Sequence, residues 1–291
     1  MTHRSVALRR LVDRTVKGIS FVASMLGLVF LAWILFEVMR RGLAAFSWDF
    51  FTEVYAPPSM GGGGVSAAIV GTLVMTAMAS LLAIPAGFLA GIYLAEFAER
   101  GRLADHVRFA SNILMGTPSI IIGLFVYTLI VVPMKSFSAY AGALSLAVIM
   151  FPVVARTTED MLRLIPNELR ESALAVGAPR WRVTLGVVFR AAKVGLITGV
   201  LLAVARASGE TAPLLFTALN SQYWTLGPGE PGLGLAQPTA NLTVTIFNYA
   251  MGPYAPLQRI AWGASLLIMV GVLLLTVFAR LALQTGKEAR R

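Results

Sequence analysis

The sequence predicts an all-α integral membrane protein with six transmembrane helices, and three observations carry that reading. Hydrophobic residues fill 57% of the 291 positions and charged residues 13%, against about a quarter charged in ordinary soluble domains. Six apolar runs are long enough to cross a bilayer, which takes about 20 helical residues each. The Lys and Arg residues behind the net charge of +10 gather in alternate gaps between those runs, so the excess charge is a topology signal rather than a nucleic-acid footprint.

The first run, about Gly18–Met39, follows Arg4, Arg9, Arg10, Arg14 and Lys17. Its apolar core is too long for a cleaved secretory signal and no small-residue cleavage pattern follows, so it reads as a retained helix. From Arg40 to Val65 the chain carries SWDFFTEVYAPP and then Gly61–Gly64, the composition of a flexible joint. That joint divides an N-terminal unit (1–65: tail, first helix, linker) from a core (66–283) and a C-terminal tail (284–291). The core holds runs at about Ser66–Ala95, Phe109–Val132, Phe137–Ala155, Ala191–Leu219 and Ile260–Leu283.

Basic residues are dense in the N-terminal tail, around 100–108, from Arg156 to Lys193, and after Arg280. The other gaps hold little beyond Arg40, Arg41, Lys135 and Arg259. Both termini and the 156–190 loop are therefore expected in the cytoplasm. Gly87 and Gly91, and again Gly195 and Gly199, sit one turn apart and allow a neighbouring helix to approach closely. Pro85, Pro118, Pro152 and Pro213 each remove a backbone donor and favour a bend. Ala240–Tyr254 is expected to form a short helix at the outer surface, and the N-x-T triplet at Asn241 carries no default meaning.

Little catalytic chemistry is available. Cysteine is absent, which excludes disulfides and thiolate sites; His3 and His106 stand alone in polar segments and read as solvated side chains, so no metal site is expected. There is no G-x-x-x-x-G-K-[ST], H-E-x-x-H or G-x-S-x-G pattern. GPGEPG at 227–232 has dinucleotide-type glycine spacing but follows no strand and carries two prolines. No catalytic residue or bound cofactor is expected, and weight shifts to a transport subunit or a membrane scaffold.

The 157–190 loop reads as two short helices at an elbow. Asn167 is the expected cap of the first, Glu168 and Glu171 favour its start, Gly177 ends it, and Pro179 opens the second. Glu171-Ser-Ala-Leu-Ala-Val-Gly177 resembles the EAA coupling loop of ABC-importer permeases. It departs at Ser172, at Val187 and Phe189, and at Arg190, which stands where the pattern has proline, so that the helix from Pro179 is free to run on into the fifth span. Together with PAGFLAGIYLAEF (85–97), GTPSIIIGLF (116–125), ARASGETAPLLFTAL (205–219) and VTIFNYAMGPY (244–254), this makes the chain after Val65 similar to the PstA-type permeases of bacterial phosphate ABC importers.

The resemblance implies a type I importer permease fold in the bacterial inner membrane and a heterodimer with a PstC-type permease. It also implies two copies of a cytoplasmic ATPase subunit that uses ATP and Mg, and a periplasmic phosphate-binding protein. Glu171 and Gly177 would then belong to the elbow that seats in the ATPase. A permease for sulfate or molybdate is the alternative within the family, and a non-transporting scaffold the alternative outside it.

Arg206 and Glu210 stand inside the fifth run. Arg206 lies roughly 22 Å from a helix start near Ala191, about the middle of the bilayer, where a lone charge costs a few kcal/mol or more and must face a cavity or a partner. Glu210, four residues on, shares its face, and Pro213 cannot donate to the Gly209 carbonyl, so a bend is expected beside the pair. Two readings stay open: a transient phosphate site, with the planar guanidinium taking two oxygens and Glu210 accepting a hydrogen from a protonated one, or a structural ion pair between helices. Sulfate, which carries no proton at neutral pH, would repel Glu210. Arg156, at the cytoplasmic end of the fourth run, is a second candidate for the substrate path, set against headgroup anchoring.

Overall fold

Apolar side chains on every face let a helix lie in lipid, and α1 (Val6–Leu43) does so: none of its most apolar window is buried within the chain. The computed structural model describes residues 6–98, 101–225 and 234–288. The GPGEPG stretch, His3, Arg4, Arg100 and the last three residues lie outside the described residues. After α1 come α2 (Trp48–Thr52), capped by the Ser47 side chain, and α3 (Ser66–Ile92), which closes in a π-helical turn, Tyr93–Phe97. The tetraglycine between α2 and α3 is not a loose joint. Gly61, Gly62 and Gly63 have φ of 93°, 90° and 72°, a left-handed path that glycine takes at no steric cost. The turn closes through Gly64 N–H donating to the Val54 carbonyl at 2.9 Å, and a Cβ at Gly62 would lie 2.8 Å from Ile260.

The third apolar run is not one straight span. It divides into α4 (Arg102–Gly116) and α5 (Ser119–Val126), the latter continuing through the π turn Tyr127–Val131 into α6 (Val132–Met134). The two halves meet at 107°. Pro118 is the cause, because it drives the preceding residue out of the helical region, and Thr117 sits at φ −77°, ψ 131°. Counting this bent pair as one, the described residues hold six candidate spans.

The bundle is organised around α7 (Ala139–Arg163), capped by Ser138, with two-thirds of its apolar window buried. Both glycine pairs singled out in the sequence face it. A Cβ at Gly87 would lie 2.7 Å from the Cβ of Val154, and one at Gly91 2.6 Å from the Ala155 carbonyl oxygen. From the other side Gly195 abuts Met161, and Gly199 abuts Thr157. Met75, Ala79, Leu146, Met150, Val154 and Ala203 fill the core between these helices.

α8 (Asn167–Ala175) follows α7, but Asn167 is not its cap. Pro166 takes the cap position, and the Asn167 side-chain carbonyl instead accepts from Arg170 at 3.3 Å. Gly177, at φ 85°, ends the helix by donating to the Leu174 carbonyl at 2.9 Å. The second short helix is no separate element. α9 (Arg180–Val183) runs through the π turn Thr184–Val188 into α10 (Phe189–Ser208), 29 residues in all, as Arg190 in place of proline permits.

The fifth run stops short of its expected end. α10 finishes at Ser208, and α11 (Ala212–Thr217) starts afresh with Pro213 in its first turn, a position that needs no proline N–H. α12 (Leu242–Met251) is tucked in rather than laid on the surface: Leu242, Val244 and Tyr249 are buried. Asn241 of the N-x-T triplet is its buried cap, accepting from Val244 N–H at 2.9 Å. α13 (Ala255–Glu288) completes the bundle and is the neighbour of α1 and α12.

The close α3–α7 crossing yields a test. Gly91→Ala is expected to destabilise the purified protein by about 1–3 kcal/mol through overpacking, whereas Gly27→Ala, with open space around it, leaves thermal unfolding in detergent unchanged.

Candidate functional site: a charged axis along the central helices

Arg206 occupies the last turn of α10 and remains 49% exposed; Glu210, past the helix end, is 16% exposed. The chain turns between them, with Gly209 N–H donating to the Arg206 carbonyl and Glu210 N–H to the Ala207 carbonyl. Arg206 Nε still lies 3.6 Å from Glu210 Oε1, an ion pair too long for a hydrogen bond. The Glu210 carbonyl accepts from Thr243 Oγ1 at 2.9 Å, which ties this corner to α12.

The guanidinium faces the break in the third span: Arg206 lines a narrow cleft with Met115, Thr117, Ser119, Ile149 and Val153. The cleft measures about 10 Å³, room for one water at most. The sequence flagged Pro118 and Arg206 separately. Their meeting is visible only in three dimensions.

Arg156 is engaged elsewhere on α7. Its Nε donates to Asp160 Oδ2 at 3.1 Å, and its Nη1 lies 4.0 Å from Glu159 Oε2. Among the described residues no hydrogen bond or ion pair joins it to Arg206 or Glu210.

The sequence reading passed over Glu159, whose side chain is 1% exposed. Its Oε1 accepts from Arg108 Nε at 2.8 Å and meets Arg163 Nη2 at 2.8 Å. Arg108 Nη2 reaches on to the Leu94 and Ala98 carbonyls at 3.1 and 3.3 Å. One carboxylate thus joins α4, α7 and the frayed end of α3. The i, i+3 and i, i+4 spacing of Arg156, Glu159 and Arg163 was a legible signal; the cross-helix partner Arg108 was not.

A second pair holds α8. Arg170 Nη2 lies 2.7 Å from Glu96 Oε1 on the π turn of α3 and also donates to the Leu162 carbonyl at 2.7 Å. The outer surface of α8 and of the turn into α9 is bare: Glu171 and Gly177 are exposed, and Leu169, Leu174, Val176 and Trp181 show large apolar areas. Behind it a cavity of about 730 Å³ opens against Glu96, Arg163, Arg170 and Arg180.

Residues 83–285 match the family model described as binding-protein-dependent transport system inner membrane component. The chain is 45% identical to the phosphate transport system permease protein PstA of Yersinia pestis, over 97% of this chain and 93% of that one. It is 44% identical to the Haemophilus influenzae protein of the same name, over 96% of each. Its identity to the phosphate transport system permease protein PstA 1 of Mycobacterium tuberculosis is 34%, over 99% of this chain. Among solved structures, the MetNI methionine ABC transporter has a chain of the same fold, with TM-score 0.60 and 20% identity over 75% of this chain and 94% of that one.

The buried carboxylate predicts a large asymmetry along α7. Glu159→Ala takes the carboxylate from Arg108, 18% exposed, while the half-exposed Arg163 can turn to water, and is expected to cost about 3 kcal/mol. Asp160→Asn, at a half-exposed pair, is expected to cost under about 1 kcal/mol. Thermal unfolding of the two variants, side by side, checks the difference.

Proposed function

Since the chain belongs to the family of binding-protein-dependent transport system inner membrane components, we propose that Arg206 is a transient phosphate site on its translocation path. The chain is the permease subunit of an ATP-driven phosphate importer, as its near full-length similarity to phosphate permeases supports. It works in the inner membrane with a partner permease, an ATPase and a substrate-binding protein. Among finer points, the partner permease is PstC-type, the ATPase is present in two copies and takes up ATP and Mg, both termini are cytoplasmic, and residues 1–65 flank the permease core of 66–283.

One observation carries the role of Arg206: its pair with Glu210 is loose. Arg108–Glu159 and Arg170–Glu96 close to 2.8 and 2.7 Å, distances at which charge-assisted hydrogen bonds form. Arg206 and Glu210 stay at 3.6 Å, and the guanidinium keeps half its surface free at a helix break. A cation held by attraction but not by hydrogen bonds offers its planar fork to an incoming tetrahedral anion. With the path empty, Glu210 balances it. With phosphate present, Glu210 accepts the hydrogen of a protonated oxygen, an option that a fully ionised sulfate lacks. Arg156, half-exposed between two carboxylates, serves the exit by exchanging partners.

The motor couples through α8. Its exposed apolar residues and Glu171 form the contact surface, while Arg170, locked to Glu96 and the Leu162 carbonyl, passes displacement to α3 and α7 as a rigid-body movement.

In proteoliposomes holding all subunits, Arg206→Gln is expected to lower phosphate uptake roughly tenfold to hundredfold, the worth of one or two charge-assisted hydrogen bonds, with the complex still assembled. Arg206→Lys keeps the charge and is expected to recover only part of the rate. Uptake unchanged in Arg206→Gln would refute the role. Separately, Gly177→Val forces a β-branched residue into the left-handed region, at a cost of about 1–2 kcal/mol; the expected outcome is reduced co-purification of the ATPase with the helix bundle intact by circular dichroism.

A further inference from the structure

At the end of the bundle opposite α8, the last turns of α1 meet the first turns of α13. Arg40, Arg41, Arg259 and Trp262 line a surface hollow there of about 410 Å³. Arg41 lies over the Trp262 ring, 4.9 Å from its centroid, and Glu37 pairs with both Arg40 and Arg41. Arg259 is exposed and has no ion pair among the described residues. Three guanidiniums against one carboxylate leave this hollow positive, and it adjoins a helix with no buried residue in its most apolar window.

We propose that this hollow binds the headgroup phosphate of an anionic glycerophospholipid, whose acyl chains lie along α1. Depth, charge and shape agree on that occupant. From Gly18 to Arg40 a helix rises about 33 Å, one hydrocarbon thickness, so Arg40 and Arg41 sit at the level of the headgroups on the side away from the N-terminus. Trp262 lies within the first turns of an apolar span, where an indole ring favours the membrane interface. Below the arginines, Phe36 and Met39 on α1 are exposed and provide apolar surface for the chains. Arginine offers bidentate contact to a phosphodiester, and the helix N-terminus of α13 adds a favourable field for an anion.

The test uses the assembled complex, delipidated in detergent and then incubated with phosphatidylglycerol or phosphatidylcholine; bound lipid is counted by native mass spectrometry. Wild type is expected to retain phosphatidylglycerol over phosphatidylcholine. Each arginine removed is expected to weaken retention roughly fivefold, so that Arg40→Gln/Arg41→Gln/Arg259→Gln abolishes it while Arg9→Gln/Arg10→Gln, at the other end of α1, does not. The single variant Arg259→Gln, which breaks no ion pair among the described residues, carries the test if the triple variant fails to assemble. Equal retention of both lipids, or retention unchanged in Arg259→Gln, overturns the proposal. So does displacement of the lipid by millimolar inorganic phosphate, which would mark a soluble-anion site. Loss of association with the substrate-binding protein, with lipid binding intact, would assign the arginines to a protein interface and overturn it equally.

Discussion

A carboxylate closed off from water costs several kcal/mol unless its charge is met at hydrogen-bonding distance, and Glu159 imposes that requirement on the whole α8 end of the bundle. Arg108 and Arg163 meet it at 2.8 Å. Because Arg108 also caps the Leu94 and Ala98 carbonyls, the π turn of α3 cannot shift without disturbing α4. The same turn carries Glu96, which anchors Arg170 and with it α8. Four helices are thus indexed to one another through two carboxylates. The other end is built differently: a left-handed glycine turn, a buried Asn241 cap and the apolar cluster of Phe50, Tyr249, Leu257 and Ile260. Apolar packing and backbone caps hold that end together, and its arginines pair only at the surface, Arg40 and Arg41 with Glu37.

The number and order of spans were legible in the sequence because apolar length is a local property, and the glycine pairs were legible because close approach needs a missing Cβ. The partner was not local. That both pairs face α7 from opposite sides follows from the crossing geometry of α3 and α10. Proline gave mixed information for a physical reason. Pro85 and Pro152 sit inside continuous helices, whereas Pro118 breaks its span and Pro213 begins a new helix after Gly209; neighbours, and not the ring alone, decide between these outcomes. The tetraglycine misled in the opposite direction. Its composition suits a loose linker, but a Cβ there would run into Val54, Ala56 and Ile260, so the glycines mark fit rather than freedom.

Of the candidate site, Arg206 and Glu210 were found because charge in an apolar run stands out. Glu159, Glu96 and Arg108 were missed because they sit near run ends, and Arg170 because it sits in the charged loop, where charge is ordinary. Their burial comes from tertiary packing that no window of sequence reports. The Arg206 surroundings were hidden for the same reason, since the Thr117–Ser119 break reaches it only across the bundle.

Pairing distance sorts these arginines by what they are free to do. Arg108 and Arg170, hydrogen-bonded to carboxylate oxygens at 2.8 and 2.7 Å and to backbone carbonyls, have committed donors and hold helices in place. Arg206, at 3.6 Å, has committed charge but no donor. The cleft it lines, about 10 Å³, is too small for a tetrahedral anion, so on the proposed role its walls would have to part. The break between α4 and α5 bounds it, and the break between α10 and α11 begins just past Arg206. A Cβ at Gly123 would lie 2.6 Å from the Cα of Pro213, so α5 and α11 are packed backbone to backbone. The two breaks, Thr117–Pro118 and Gly209–Thr211, are held only by single-turn hydrogen bonds, Thr117 N–H to the Leu114 carbonyl at 3.4 Å and Gly209 and Glu210 N–H to the Arg206 and Ala207 carbonyls at 3.1 and 3.2 Å, fewer than a continuous helix would carry. Arg206 faces the first break and immediately precedes the second, the place where, on the proposed role, a cation that attracts and releases an anion would change its neighbours at least cost.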